Sequence, residues 1–305
     1  MGILPEYQLI EADVEKGLST LADCSQTLIL SSPPYNIGKS YERSEKRSLS
    51  DYKSWQESIA AELVRLLSDD GSLCWQVGNH VNNGETFPLD YLFFDIFTSL
   101  GLKLRNRIIW RFNFGLHSKQ RLSGRYETIL WFTKTDDYKF NLDPIRIPQT
   151  YPGKRHSKRK GEKAGQPSGN PKGKNPSDFW EFSAEGQFIN RPIWEIPNVK
   201  ANHRECTPHP CQFPIELAER CVLALTTNGD SVLDPFIGSG TTALAALKRD
   251  RRAVGIDRDP AFIALSQKRI EDLAEDRLPY REIGQPVRRP LTTESVARKP
   301  SEWEA

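Results

Sequence analysis

The sequence predicts an α/β fold: a mostly parallel central sheet with helices on both faces, interrupted by one long insertion. Three observations carry that expectation. Short apolar runs alternate with helically spaced stretches over residues 9–140, the same alternation resumes at Phe213, and between them Pro, Gly and charged residues displace any apolar period. Strands alternating with helices need crossover connections, which place helices on the two faces of a parallel sheet. The chain therefore divides into 1–140, 141–197, 198–275 and 276–305.

Residues 9–13 read as a short strand ending in an acid, followed by a helical stretch to about Leu21. Residues 27–31 are the next apolar run, and the two prolines after it mark a buried strand feeding a stiff loop. Residues 38–50 are polar and charged and are expected to form a mobile segment over that loop. Trp55, Ile59, Leu63, Leu66 and Leu67 recur at helical spacing, and Asp69-Asp70-Gly71 supplies the stop. Residues 72–77, 102–110 and 126–133 read as strands and 88–100 as a helix. Beyond the insertion come helices at 215–224, 241–248 and 260–273, with strands at 231–234 and 252–257. The last helix opens with Pro260 in its first turn. The polar tail from Asp276 is expected to pack loosely.

With 305 residues, 37% of them hydrophobic, and seven Trp, the chain can build one large domain with an insertion or two smaller ones. A mean hydropathy of −0.58 describes a soluble protein. No apolar run reaches membrane-spanning length, and the N-terminus lacks a signal-peptide pattern. Five scattered cysteines fit a reducing cytoplasm better than a disulfide framework. The net charge of +2 says little, but its distribution says more. Lys154, Arg155, Lys158, Arg159, Lys160, Lys163, Lys172 and Lys174 cluster in the insertion with Glu162 as the only acid among them. Such a cluster is either a solvated segment or an arm for nucleic-acid phosphates.

Two motifs carry chemistry. Ser32-Pro33-Pro34-Tyr35 sets a hydroxyl, a rigid carbonyl and an aromatic face within four residues. Consecutive prolines lack N–H groups and push their neighbours out of helical geometry, so these carbonyls can face a ligand. The group suits the exocyclic amine of a nucleobase taken out of its helix, although a loop that only ends a strand would read the same way. The second motif, Asp234-Pro235-Phe236-Ile237-Gly238-Ser239-Gly240-Thr241-Thr242, joins a strand to a helix through a glycine turn. Gly238 and Gly240 permit close approach of a ligand to the backbone. Asp257 ends the next strand, where an acid binds ribose hydroxyls. The spacing matches neither a nicotinamide fingerprint nor a phosphate-binding loop with its Lys. An acid before the turn suits a zwitterionic or cationic cofactor.

Together these motifs resemble those of the amino-methylating DNA methyltransferases that use S-adenosyl-L-methionine. The catalytic motif precedes the cofactor motif, the order of their permuted β group. The segments 124–132 and 209–214 are similar to further stretches of that family. The resemblance implies a Rossmann-like methyltransferase fold of restriction–modification type, with double-stranded DNA as substrate and a cognate endonuclease as possible partner. It implies catalysis by Ser32, Pro33, Pro34 and Tyr35, with Tyr35 stacking on the flipped base. It assigns the cofactor to Asp13, Gln212, Phe213, Pro214, Asp234, Phe236, Gly238, Gly240, Thr241, Thr242 and Asp257. Lys154, Arg155, Lys158, Arg159 and Lys160 would then bind DNA from a target-recognition region at 141–197. Serine at the head of the tetrad is commoner in cytosine-N4 members than in adenine-N6 members.

Other readings remain open at this level. Phe213 also suits a core and Asp13 a helix cap. Pro210-Cys211-Gln212 resembles the tripeptide of cytosine-C5 methyltransferases. His203, Cys206, His209 and Cys211 are cramped for a zinc site. A non-catalytic nucleic-acid-binding protein or an RNA methyltransferase would share much of the pattern.

Overall fold

The structure, a computed structural model, describes residues 3–36, 47–82, 84–112, 118–149, 151–157, 161–181, 196–199 and 203–285. Its main sheet has eight strands: β1 (Tyr7–Glu11), β2 (Gln26–Ser31), β3 (Leu67–Val77), β6 (Lys103–Arg111), β7 (Tyr126–Thr133), β8 (Phe179–Glu181), β9 (Ser231–Asp234) and β10 (Arg252–Asp257). Their order is β1-β10-β9-β2-β3-β7-β6-β8. All neighbours run parallel except β7, which is antiparallel to both β3 and β6. The mostly parallel sheet is thus as expected. Every residue of β2 and β9 is buried, which is why neither shows the alternation of a half-exposed strand.

Helices α1 (Val14–Ser19), α2 (Leu49–Leu66) and α3 (Leu89–Ser99) cover one face, packing Leu18, Leu63, Phe93 and Phe97 against Ile29, Trp75 and Leu233. On the other face α4 (Ile215–Leu225), α5 (Thr241–Leu247) and α6 (Pro260–Ala274) pack Val222, Leu244 and Ile270 against Leu28, Leu30 and Val232. Ser48 caps α2, its hydroxyl accepting from the Asp51 amide, and Asp259 caps α6 in front of Pro260. Among the described residues no helix is long and apolar enough to cross a membrane.

Three expectations need correction, and one element was missed. Helix α2 starts at Leu49, within the segment read as mobile, because Ser48 supplies its cap; residues 37–46 lie outside the described residues. Asp69-Asp70-Gly71 does not stop a helix but lies inside β3, where the register with β2 jumps from Gln26–Leu67 to Leu28–Ser72. The excursion lets a strand begin with no intervening turn. A two-stranded ribbon of β4 (Asn79–Asn82) and β5 (Glu85–Pro88) went unread, since it is short and has little apolar pattern. The tail is not loose through Gly284: Leu278 and Arg281 are buried, the Arg281 guanidinium pairs with buried Glu216, and the Gly284 amide donates to the same carboxylate at 2.9 Å. Residues 286–305 lie outside the described residues.

The insertion is also tied in. Strand β8 extends the sheet beside β6, and Ile145, Ile147, Trp180 and Ile196 join the core on the α4 face. Phe182 and Trp194, two further aromatic residues of the insertion, lie outside the described residues.

Candidate active site

The decisive pairing is β2 with β9, strands some 200 residues apart in sequence that lie side by side as Leu28–Val232 and Ile29–Leu233. From here one half of the sheet is built outward through β3 and the other through β10. A crevice opens where strand order reverses in this way, at the carboxyl ends of the two strands. Both chemical motifs begin there. Ser31 donates to Asp234 Oδ1 at 2.6 Å and Thr242 Oγ1 donates to the Leu30 carbonyl at 3.2 Å, so the two loops are bonded to each other at their roots.

Above them lies a cleft of about 1610 Å³. Ser32, Pro33, Pro34 and Tyr35 line one side, and Phe236, Gly238 and Asp257 line the other. On the first side Ser32 Oγ and Tyr35 Oη are 3.0 Å apart, the Tyr52 hydroxyl donates to the Pro34 carbonyl at 2.7 Å, and His80 Nδ1 lies 3.3 Å from the Tyr35 carbonyl. The loop is held from outside, by helix α2 and the ribbon, and the Ser32 hydroxyl is oriented by Tyr35. That hydroxyl contact was not legible in the sequence.

On the second side Gly238 has φ +48° and Gly240 φ +79°. A Cβ at Gly238 would stand 2.8 Å from His209 Nε2, so glycine is required by contact as well as by conformation. Asp257 accepts from the Gly238 amide at 3.0 Å and the Asp259 amide at 2.9 Å, and burial raises its pKa. Asp13 sits at the N-cap of α1 but makes no side-chain capping bond, and it lines the cleft. The cap reading therefore fails for its carboxylate. Phe213 does both jobs, packing on the core and facing the cleft.

Five of the expected cofactor residues lie beneath or behind the cleft wall. Asp234 is 2% exposed and spends Oδ1 on Ser31 and the Phe236 amide. Its burial raises the pKa to about 6, with the Ser31 and Thr242 hydroxyls opposing the shift. Gly240, Thr241 and Thr242 form the buried start of α5, with Thr241 Oγ1 donating to the Phe213 carbonyl at 3.3 Å. Pro214 is the N-cap of α4. Gln212 does line the cleft, yet its amide is committed, accepting from Thr207 Oγ1 at 2.8 Å and donating to the Glu205 carbonyl at 2.9 Å. Glu205, almost wholly buried, accepts from the amides of Ile215 and Arg281. This latch, invisible in the sequence because its partners are far apart, fixes the loop that presses His209 onto Gly238. Burial also pulls the His209 pKa down to about 4, keeping the ring neutral.

Sequence reasoning also missed Trp55, whose ring packs on Phe236 at 6.1 Å under the Arg47 guanidinium, and the Gln76–Glu127 pair in the cleft wall. Trp55 was read only as a core position of a helix. Lys154 and Arg155 are exposed in the insertion, away from the cleft lining, and Arg155 donates to the Gly165 carbonyl at 2.9 Å. Lys158, Arg159 and Lys160 lie outside the described residues. Among the described residues no group of three or more His, Cys, Asp or Glu side chains is placed to hold a metal ion.

A family model described as DNA methylase matches residues 27–268. The type II methyltransferase M.BglII of Bacillus subtilis is 44% identical over 260 residues, 85% of this chain and 67% of that protein. The DNA adenine methyltransferase YhdJ of Escherichia coli is 28% identical over 266 residues, 86% of this chain and 82% of that protein. Among solved structures, a protein of Thermus thermophilus described as a candidate DNA modification methylase, in complex with S-adenosyl-L-methionine, superposes with a TM-score of 0.57 at 26% identity, covering 90% of this chain and 95% of that one.

Proposed function

The chain belongs to the N6/N4 family of DNA methylases, and from that membership we propose that it methylates the exocyclic N4 of a cytosine extruded from double-stranded DNA at a specific site. The observation that carries the reading is the Ser31–Asp234 hydrogen bond, which puts the Ser-Pro-Pro-Tyr loop and the glycine turn on one cleft.

The cofactor side fits S-adenosyl-L-methionine. Gly238 lines the cleft with His209 packed against it, Phe236 and Phe213 offer apolar contact, and Asp13 and Asp257 offer acceptors for amine and hydroxyl donors. Bound there, the cofactor supplies an electrophilic methyl group on a positively charged sulfur. Asp234 sits behind the turn and holds the Phe236 amide in place. Gln212, Phe213 and Pro214 belong to the loop that would border the methionine moiety of the cofactor.

An exocyclic amine is a weak nucleophile because its lone pair is delocalised into the ring. Hydrogen bonds from the amine to Ser32 Oγ and the Pro33 carbonyl favour a pyramidal nitrogen and aim the freed lone pair across the cleft. Alignment of this kind supplies many powers of ten in rate. Tyr35 fixes the Ser32 hydroxyl through its own and presents its ring to the base. Serine at the head of the tetrad supports cytosine N4. The likeness to YhdJ favours N6 of adenine as the second reading.

We assign target recognition to residues 141–197, with Lys154, Arg155 and, outside the described residues, Lys158, Arg159 and Lys160 on phosphates. A cognate endonuclease acting on the same site and a cytoplasmic location complete the proposal. The test is to expose unmethylated DNA to the protein with labelled cofactor and map every modified base. N4-methylcytosine at one recurring sequence is expected. N6-methyladenine would overturn the base assignment, 5-methylcytosine would overturn the amine chemistry in favour of a Cys211 nucleophile, and binding without transfer would favour a non-catalytic role.

A further inference from the structure

Methylation of an amine leaves one proton to be removed. As the N–C bond forms, the S–C bond breaks and its electron pair stays on sulfur as a neutral thioether, so the positive charge moves to the base nitrogen. That nitrogen becomes neutral only when an N–H bond breaks and a base takes the proton. Neither the Ser32 hydroxyl nor the Pro33 carbonyl is a base of useful strength.

The carboxylates lining the cleft, among the described residues, are Glu11, Asp13, Glu15, Asp257, Asp259 and Glu127. The first five end or follow β1 and β10 and stand on the cofactor side. Glu127 stands at the start of β7, on the Ser32–Tyr35 side. A Cβ placed on Gly78 would lie 3.2 Å from Tyr35 Cε2 and 3.4 Å from Glu127 Oε1, so Tyr35 and Glu127 flank one point of the wall. The Glu127 carboxylate is aimed by Gln76 in the adjacent strand β3, whose Nε2 donates to Glu127 Oε2 at 2.6 Å. Gln76 is 3% exposed, and its own Oε1 has no hydrogen-bond partner. A buried amide that leaves an acceptor unpaired to hold a carboxylate at a cleft wall costs stability, a cost expected where placement serves chemistry.

We propose that Glu127, positioned by Gln76, receives the proton that the methylated amine sheds. The N–H bond breaks as the N–C bond forms, an O–H bond forms on Glu127, and the acid then releases its proton to solvent through the open cleft. The assignment rests on the amine-transfer reading above. Gln76 is a positioning residue, since it acts only through Glu127.

The test uses the full-length protein, labelled S-adenosyl-L-methionine and a duplex carrying the site mapped with the wild type. Glu127→Gln keeps the shape and the hydrogen bond to residue 76 but cannot take a proton. Its single-turnover rate is expected to fall by about 10²–10⁴, the usual contribution of a positioned base. Cofactor affinity, duplex affinity and melting temperature should stay near wild type. Glu127→Ala should be equally slow and regain rate with added formate, a recovery that a structural role would not give. A Glu127→Gln rate within about threefold of wild type, under 1 kcal/mol of barrier, overturns the assignment. So does a loss matched by weaker cofactor or duplex binding. A wild-type protein that methylates no exocyclic amine overturns the function reading and this assignment together, whereas an unaffected variant beside an active wild type overturns this assignment alone.

Discussion

The two sides of the cleft are built differently. On the cofactor side the polar groups nearest the glycine turn are already engaged: Asp257 by two backbone amides, Asp234 by Ser31 and Phe236, Gln212 by Thr207 and Glu205. On the base side the Ser-Pro-Pro-Tyr loop has no regular structure, Tyr52 and His80 hold it from outside, and the Tyr35 hydroxyl meets Ser32 within it. A pocket for one invariant ligand can be preorganised in full. A pocket that must admit a base leaving a helix is held through its outward-facing carbonyls, those of Pro34 and Tyr35, and is stiffened further by its prolines. Hydrogen bonds thus hold both sides, and on the base side the covalent geometry of two prolines adds to them.

Gly238→Ala should break the cofactor side most severely. The new Cβ meets His209 at 2.8 Å with φ at +48°, and a clash plus backbone strain of about 2–3 kcal/mol weakens cofactor binding by about 30–150-fold. Isothermal titration with the cofactor measures it; duplex affinity should hardly change.

Asp234→Asn tests whether buried charge on that side is kept at a cost to the fold. Burial raises the native pKa to about 6, against about 3.9 for an unfolded Asp. The folded state then binds the proton more tightly, so the contribution to stability is full below the unfolded pKa and is lost as pH rises through about 6. Two pH units correspond to about 3 kcal/mol. Denaturant unfolding of the ligand-free protein should lose stability of that order between pH 4 and 7 in the wild type and lose distinctly less in Asp234→Asn.

The smallest effect is expected in the insertion. Lys154→Ala should lower the slope of log affinity for DNA against log salt by about 0.9, and Arg155→Ala by less, because Arg155 already serves the Gly165 carbonyl. Binding measured across a salt series separates these from any loss of sequence preference.

Much of this comparison was legible from the chain alone, and the reasons are specific. The strand before each motif is buried on both sides, the first showing as an apolar run at 27–30 and the second as the short strand 231–234, and Pro33-Pro34 and Gly238 carry their geometry in their covalent structure. What stayed hidden depends on contacts between distant segments. Glu205 and Arg281 are 76 residues apart, and Gln76 and Glu127 are 51 apart. The tail looked loose because polarity was its only local signal, while its burial comes from pairing with Glu216. The Asp69-Asp70-Gly71 stop misled because turn residues also serve a bulge inside a strand.

The central claim is that Ser32 holds the amine that the other side of the cleft methylates, and Ser32→Ala tests it most directly. Single-turnover transfer to a mapped duplex is expected to fall by about 10²–10³, the usual loss for one such polar contact, with cofactor affinity unchanged. A variant that transfers methyl groups at the wild-type rate would contradict the account.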